Sequence, residues 1–313
     1  MLFRSLRKTF GPRCVVDDLS FSIRAGEAFG LLGPNGAGKS TTMMMITGIL
    51  VPDAGQVLIR DRPMVRSDRS LRSLLGVVPQ ELAIYPDMTA RENLMFFARL
   101  YHLSGRILRE RVADALEQAG LTPRADDPAG TYSGGMKRRL NFAAAVMHRP
   151  ELLILDEPTV GVDPQSRAHL LDCVRHLQNS GTSVIYASHY MEEVEAVCSR
   201  VAIIDQGRLV ACDAISSLLQ RTPREVELRL NQPHLPDSLS PGDNVTVQTN
   251  GETDGAVLRV RSAAGGSESA LHAEVSELLR LLAENSLTVR SIRTLEPNLE
   301  RLFLQLTGNR LRD

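Results

Sequence analysis

The sequence predicts an α/β domain on a mostly parallel sheet, with an inserted helical subdomain and a small α+β domain behind it. Three features predict this. Short apolar runs at Ala28 to Leu32, 152–155, Ser183 to Ala187 and Val201 to Asp205 alternate with helical patterns. The helical period dominates from 82 to 150, too long a stretch for a crossover connection. Composition shifts near 220, and alternating runs resume beyond it.

The elements follow in order. Residues 1–26 read as strand and turn, punctuated by Gly11-Pro12. The first strand, Leu2 to Leu6, reads as short, so the true start is expected upstream. Ala28 to Leu32 runs into a glycine-rich stretch and then a helix. Thr89 and Glu92 form a capping box that sets Leu94, Phe97 and Tyr101 on one face. Leu152 to Leu155 is apolar without alternation, as a strand buried on both faces is. Leu170, Leu171, Val174 and Leu177 mark the next helix. Arg221-Thr222-Pro223 reads as a linker, so the domains are expected at 1–219 and 220–313. In the second, Val226, Leu228 and Leu230 alternate, as do Leu258 and Val260, with a hairpin turn or loop from Asn250 to Gly255. A helix carries Leu271, Val275, Leu278, Leu279 and Leu282 on one face. Pro297 opens a last helix with Leu299, Leu302, Phe303 and Leu306 together.

Composition narrows the function. The 313 residues carry a formal net charge of −1, so no basic surplus argues for nucleic acid. Aromatic residues are scarce and Trp is absent, which disfavours a stacking platform for single strands. No apolar run approaches the roughly 18 residues of a membrane span, and no signal peptide is read. Cys14, Cys173, Cys198 and Cys212 show no C-x-x-C spacing and read as reduced thiols of a cytosolic protein.

Gly33-Pro34-Asn35-Gly36-Ala37-Gly38-Lys39-Ser40, followed by Thr41, fits G-x-x-x-x-G-K-[ST]. Glycines let backbone N–H groups approach phosphates, and the following helix adds its dipole. Lys occurs only at 8, 39 and 137 in this arginine-rich chain. A compact ammonium at 39 fits between phosphate oxygens where a planar guanidinium would not. Ser40 would offer its hydroxyl to Mg²⁺. Asp156 and Glu157 end a buried strand, where ligands collect in parallel sheets. Asp156 would hold Mg²⁺, and Glu157 would orient or deprotonate a water. Ser133-Gly134-Gly135 offers a second anion site at a helix start, with an ordinary capped helix as the alternative. Met43 to Met45 read as core filler, and Lys137-Arg138-Arg139 as a solvated helix face or a contact to phosphates of an opposite site.

The phosphate loop, Ser-Gly-Gly, Asp156-Glu157-Pro158 and the later His189, in this order, resemble the ATP-binding subunit of ABC transporters over residues 1–215. The resemblance implies a P-loop NTPase with an N-terminal antiparallel β part, using ATP and Mg²⁺. It also implies a nucleotide-dependent homodimer, head to tail, in which the Ser133, Gly134 and Gly135 loop of one copy closes the phosphate loop of the other. Phe10 would stack on adenine, a core phenylalanine being the alternative. Gln80 would sense Mg²⁺ and the γ-phosphate and couple to an integral-membrane permease. Asp163 would join the two sites, and His189 would contact the γ-phosphate. Tyr132 and Met136 depart from the family's commoner Leu and Gln, and Val162 from Leu. The tail, Leu299 to Phe303, Leu306 to Gly308 and Leu311 to Asp313, resembles exporter ATPases of the ABC-2 branch, which serve drug resistance, nodulation-factor export and polysaccharide export. The implied function is an ATP-hydrolysing exporter subunit, peripheral on the inner face of the cell membrane. The alternative is a soluble ABC ATPase acting on ribosomes or nucleic acid, against which stand the single cassette and the absence of sustained heptads.

Overall fold

The computed structural model describes residues 1–236, 244–250, 254–262 and 268–308. The first strand, β1 (Leu2–Phe10), runs four residues past Leu6 before turning into β2 (Arg13–Ser22). Arg7 and Lys8 break the apolar pattern, yet they stay in the strand because acidic neighbours hold them. Lys8 donates to Asp53 at 2.7 Å and Arg7 lies 3.8 Å from Asp17. The apolar run becomes β3 (Ala28–Leu32), buried throughout, and feeds α1 (Lys39–Ile46). Next come β4 (Ala54–Ile59), β5 (Arg62–Pro63), α2 (Arg69–Arg72) and β6 (Leu75–Val78).

The helical insertion holds α3 (Ala90–Leu100), α4 (Gly105–Gln118) and α5 (Gly134–Val146). The capping box at Thr89 and Glu92 is formed in both directions. Leu94, Leu108, Leu116 and Leu140 build a core of the insertion's own. Leu94 is fully buried and Phe97 packs against this core, whereas Tyr101 ends the helix and stacks on His148 at 3.6 Å. Both residues reach back to the carbonyl of Leu75, the first residue of β6.

The chain re-enters the sheet as β7 (Leu152–Asp156). It continues with α6 (Pro164–Asn179), β8 (Ser183–Ala187), α7 (Met191–Val197), β9 (Arg200–Asp205) and β10 (Arg208–Ala214). One six-stranded sheet has the order β10-β9-β3-β8-β7-β6, parallel except for β10. A second, antiparallel sheet has the order β2-β1-β4-β5. Phe3, Phe21, Phe29, Ile46, Ile154 and Ile185 belong to the core that the two share. Met43 and Met45 enter it, while Met44 is 42% exposed because the helix turns it outward.

The chain divides into two compact units, one built on Met1–Ile215 and one on Ser216–Gln305. After α8 (Ile215–Gln220), the second contains β11 (Glu225–Leu230), β12 (Val245–Asn250), β13 (Asp254–Arg261), α9 (Glu268–Glu284), β14 (Val289–Leu295) and most of α10 (Leu299–Thr307). Its antiparallel sheet has the order β12-β13-β11-β14, and Val226, Leu228, Leu258 and Val260 pack with Leu271, Leu278 and Leu282. The expected turn between Asn250 and Gly255 lies mostly outside the described residues, as does Leu311 to Asp313. Asn298, not Pro297, caps α10 through the Arg301 N–H. Leu306 is 42% exposed rather than part of the buried face, since it lies in the last turn.

Leu94→Ala should remove about 2–5 kcal/mol from the helical insertion, seen as a lower urea midpoint of the first unit. Burial pushes the His148 imidazole down to about 4. The neutral ring of the fold thus opposes a chain that protonates below the ordinary 6.5 when unfolded. The stability it contributes is present above pH 6.5 and is lost as pH falls toward 4. Urea midpoints measured across that range should fall, and His148→Phe should flatten the fall.

Candidate functional site

The loop Gly33–Ser40 leaves the C-terminal end of β3 and enters α1. Gly38, at φ 103°, makes the turn, and a Cβ there would come 2.7 Å from the Val15 carbonyl oxygen. The Lys39 ammonium is buried and donates to the carbonyls of Gly33 at 2.7 Å and Pro34 at 3.2 Å. Burial pushes its pKa down, against the pull of the Glu157 and Asp156 carboxylates. Asp156 ends β7 and accepts from the Ser40 hydroxyl. Burial first, and the Glu157 charge after it, hold its carboxyl above the usual range, while Ser40 and Lys39 pull the other way. Gly36, Pro34, Asn35 and Ala37 border a recess of 380 Å³.

Two expected catalytic side chains meet on the carboxylate of the third, Glu157. Gln80 Nε2 donates to Glu157 Oε2 at 3.3 Å, and His189 Nδ1 lies 3.3 Å from Glu157 Oε1. Each comes from the C-terminal end of a neighbouring parallel strand, β6, β7 and β8. Glu157 sits at φ 48°, an unusual backbone conformation for a residue other than glycine, and its N–H is tied to Ala187 O at 2.8 Å. Such an arrangement can fix a water or a phosphate oxygen with little reorganisation.

Phe10 is 50% exposed at the β1–β2 hairpin, so it is not a core residue. Ser133 caps α5, accepting from the Met136 N–H at 3.3 Å, with Gly134 exposed beside it. Tyr132 and Val162, where the sequence departs from the family pattern, are buried, and Met136 packs on the helical core. Asp163 caps α6 through the Ser166 N–H at 2.9 Å. Gly135 abuts this turn so closely that a Cβ would overlap Ser166 Oγ and Asp163 Oδ2. Arg138 donates to the Gln80 carbonyl and Arg139 to Ala119 O, so two members of the basic cluster serve internal contacts.

Sequence reasoning missed Arg13, Asp205 and Gln206, which line the recess beside the phosphate loop. Arg13 could have been found as the hairpin partner of Phe10, whereas Asp205 and Gln206 come from the distant end of β9 and carry no local signal.

A phosphate loop at the C-terminal end of an inner parallel strand, beside a strand-terminal Asp-Glu pair, defines a nucleotide-hydrolysing P-loop protein. Residues 16–160 match the family described as "ABC transporter". The linearmycin resistance ATP-binding protein of Bacillus subtilis is 43% identical, covering 99% of this chain and 98% of that one. A Nod factor export ATP-binding protein I of Burkholderia lata is 36% identical over 99% and 98%. Among solved structures, an ATP-binding subunit of an ABC transporter aligns with TM-score 0.64 at 27% identity, covering 69% of this chain and 90% of that one. The subunit cbiO1 of Clostridium perfringens aligns at 0.63 and 28%, over 68% and 87%. The chain belongs to the ATP-binding subunits of ABC transporters, and it is an ATPase.

Lys39→Ala should weaken ATP affinity by about 100-fold or more, measured by nucleotide titration. Burial makes a charged Asp156 costly, so Asp156→Asn should raise the melting temperature at neutral pH without nucleotide while hydrolysis is lost. The sign follows from a raised carboxyl: its folded form gains stability as pH falls and loses it as pH rises.

Proposed function

We propose that this chain is the ATP-driven motor of an exporter, working as a nucleotide-dependent homodimer beneath a separate integral-membrane permease. The observation that carries it is the meeting of Gln80 and His189 on Glu157 beside the phosphate loop. Gly33 to Thr41 would cradle the ATP phosphates, with Phe10 stacked on the base. The Ser40 hydroxyl, at the end of the phosphate loop, and Asp156, at the end of β7, suit Mg²⁺, with Gln80 completing the site. Mg²⁺ would neutralise charge on the phosphate oxygens. Glu157 holds the attacking water, His189 steadies the γ-phosphate, and Asp163 lies at the junction of the two sites. The exposed Ser133 and Gly134, at a helix start, would close the phosphate loop of the second copy.

A groove of 650 Å³ supports the permease partner. It is lined by Ile49, Val77, Leu100 and Tyr101, of which Ile49 is 66% and Leu100 59% exposed. Among the described residues no helix is long and apolar enough to cross a membrane, so the path for cargo would come from that partner. Export is supported by the name of one relative, a Nod factor export ATP-binding protein, beside another named for linearmycin resistance; a place on the inner face of the membrane would follow from docking on the permease.

Glu157→Gln should bind ATP, form a dimer visible by gel filtration, and turn over about 100-fold or more slowly. Normal turnover would remove Glu157 as the water-holding group. Phe10→Ala should raise the KM for ATP about 10-fold with kcat kept, and an unchanged KM would remove the stacking role.

A further inference from the structure

Glu193 is the third residue of α7, is 3% exposed, and belongs to no part of the site described above. Its carboxylate accepts from Thr159 Oγ1 at 2.7 Å, Tyr186 Oη at 2.9 Å and Ser188 Oγ at 3.2 Å. Arg167 Nε lies 3.3 Å away as an ion pair, close but not aligned as a hydrogen bond. Burial and the neighbouring carboxylate push the Tyr186 phenol up, so it remains a donor. A carboxylate at this depth is costly unless its acceptor sites are filled, and here three hydroxyls from two segments fill them, with Arg167 of a third segment alongside.

Those segments are the ones that frame the chemistry. Thr159 lies two residues past Glu157, and Ser188 directly precedes His189. Arg167 is on α6, four residues past Asp163, and its guanidinium also covers the Tyr190 ring at 4.8 Å. Tyr190 in turn packs on the His189 ring, 4.1 Å between centroids. The start of α6 is where Gly135 of the Ser133–Gly135 loop makes its closest approach, against Asp163 and Ser166. An unbroken run of contacts therefore joins Glu157 and His189, which serve one nucleotide, to the loop that would serve the other.

We propose that Glu193 is a positioning residue that sets Glu157 and His189 and ties them to the Ser133–Gly135 loop of the same chain. The first half stands on the contacts alone. The second half rests on the head-to-tail dimer proposed above.

Glu193→Gln keeps the shape but replaces one acceptor oxygen with a donor, and Thr159→Val removes one hydroxyl. In the full chain, both should leave ATP affinity, measured with a fluorescent ATP analogue, within about 2-fold. Both should lower kcat by about 10-fold or more with KM little changed, since small displacements at a reacting centre cost rate rather than binding. The double variant should lose less than the product of the two single effects. An unchanged kcat in either folded variant would overturn the positioning role, and Thr159→Val decides it if Glu193→Gln does not fold. For the second half, Glu193→Gln is added to Glu157→Gln. The ATP concentration giving half-maximal dimer should rise about 5-fold or more, and an unchanged concentration overturns the coupling. If Glu157→Gln alone does not dimerise with ATP, the dimer reading and this coupling fall together, while the kcat result still decides the positioning role.

Discussion

The structure depends on how Glu157 is held. The residue stands at the exit of β7 with a positive φ, and one backbone hydrogen bond to Ala187 anchors it to β8. From there its carboxylate meets an amide from the β6 side and an imidazole from the β8 side. Three adjacent parallel strands thus end at one point, and a buried ammonium waits beside it. A parallel sheet suits this task because all its C-terminal ends lie on one side. Backbone strain at such a position is sustained only when the surrounding packing over-determines it, and the fully buried Leu153, Leu155, Ile185 and Tyr186 do so here.

The Gln80 segment is suspended differently. Its strand begins at Leu75, whose carbonyl takes the stacked pair Tyr101 and His148 from the helical insertion. Its end is held by Arg138 on the Gln80 carbonyl, and Asn141 accepts from the Ala83 N–H at 3.1 Å. Both holding residues are on α5, whose first turn carries Ser133 to Gly135. A displacement of that helix would therefore act on Gln80 and on the Ser-Gly-Gly loop together.

Much of this was legible in the sequence, and the reasons are physical. The phosphate loop is contiguous, so its spacing alone specifies it. The parallel strands announce themselves as apolar runs, and the capping box at Thr89 needs only two residues three apart. What the sequence hid was either long-range or locally ambiguous. Gln206 and Arg13 line one recess from opposite ends of the first unit's sequence. Glu193 looks like a surface acid of an ordinary helix until the hydroxyls of Thr159, Tyr186 and Ser188 are seen to converge on it. Val289–Leu295 escapes a reading by alternation because its apolar residues, Val289, Ile292 and Leu295, fall three apart rather than two, yet it pairs along the whole of β11. In the same way β1 outran its apolar stretch, since Asp53 neutralises Lys8 there.

Among the described residues, the apolar core of the helical insertion is separate from the core of the sheets. Leu94 and Leu116, on α3 and α4, pack in this separate core and not against the strands of the sheet core. The surface of the insertion and the strand ends beside the phosphate loop are therefore packed under separate constraints. A motor of the proposed kind would in this way tolerate change in one lobe while its chemistry stays fixed.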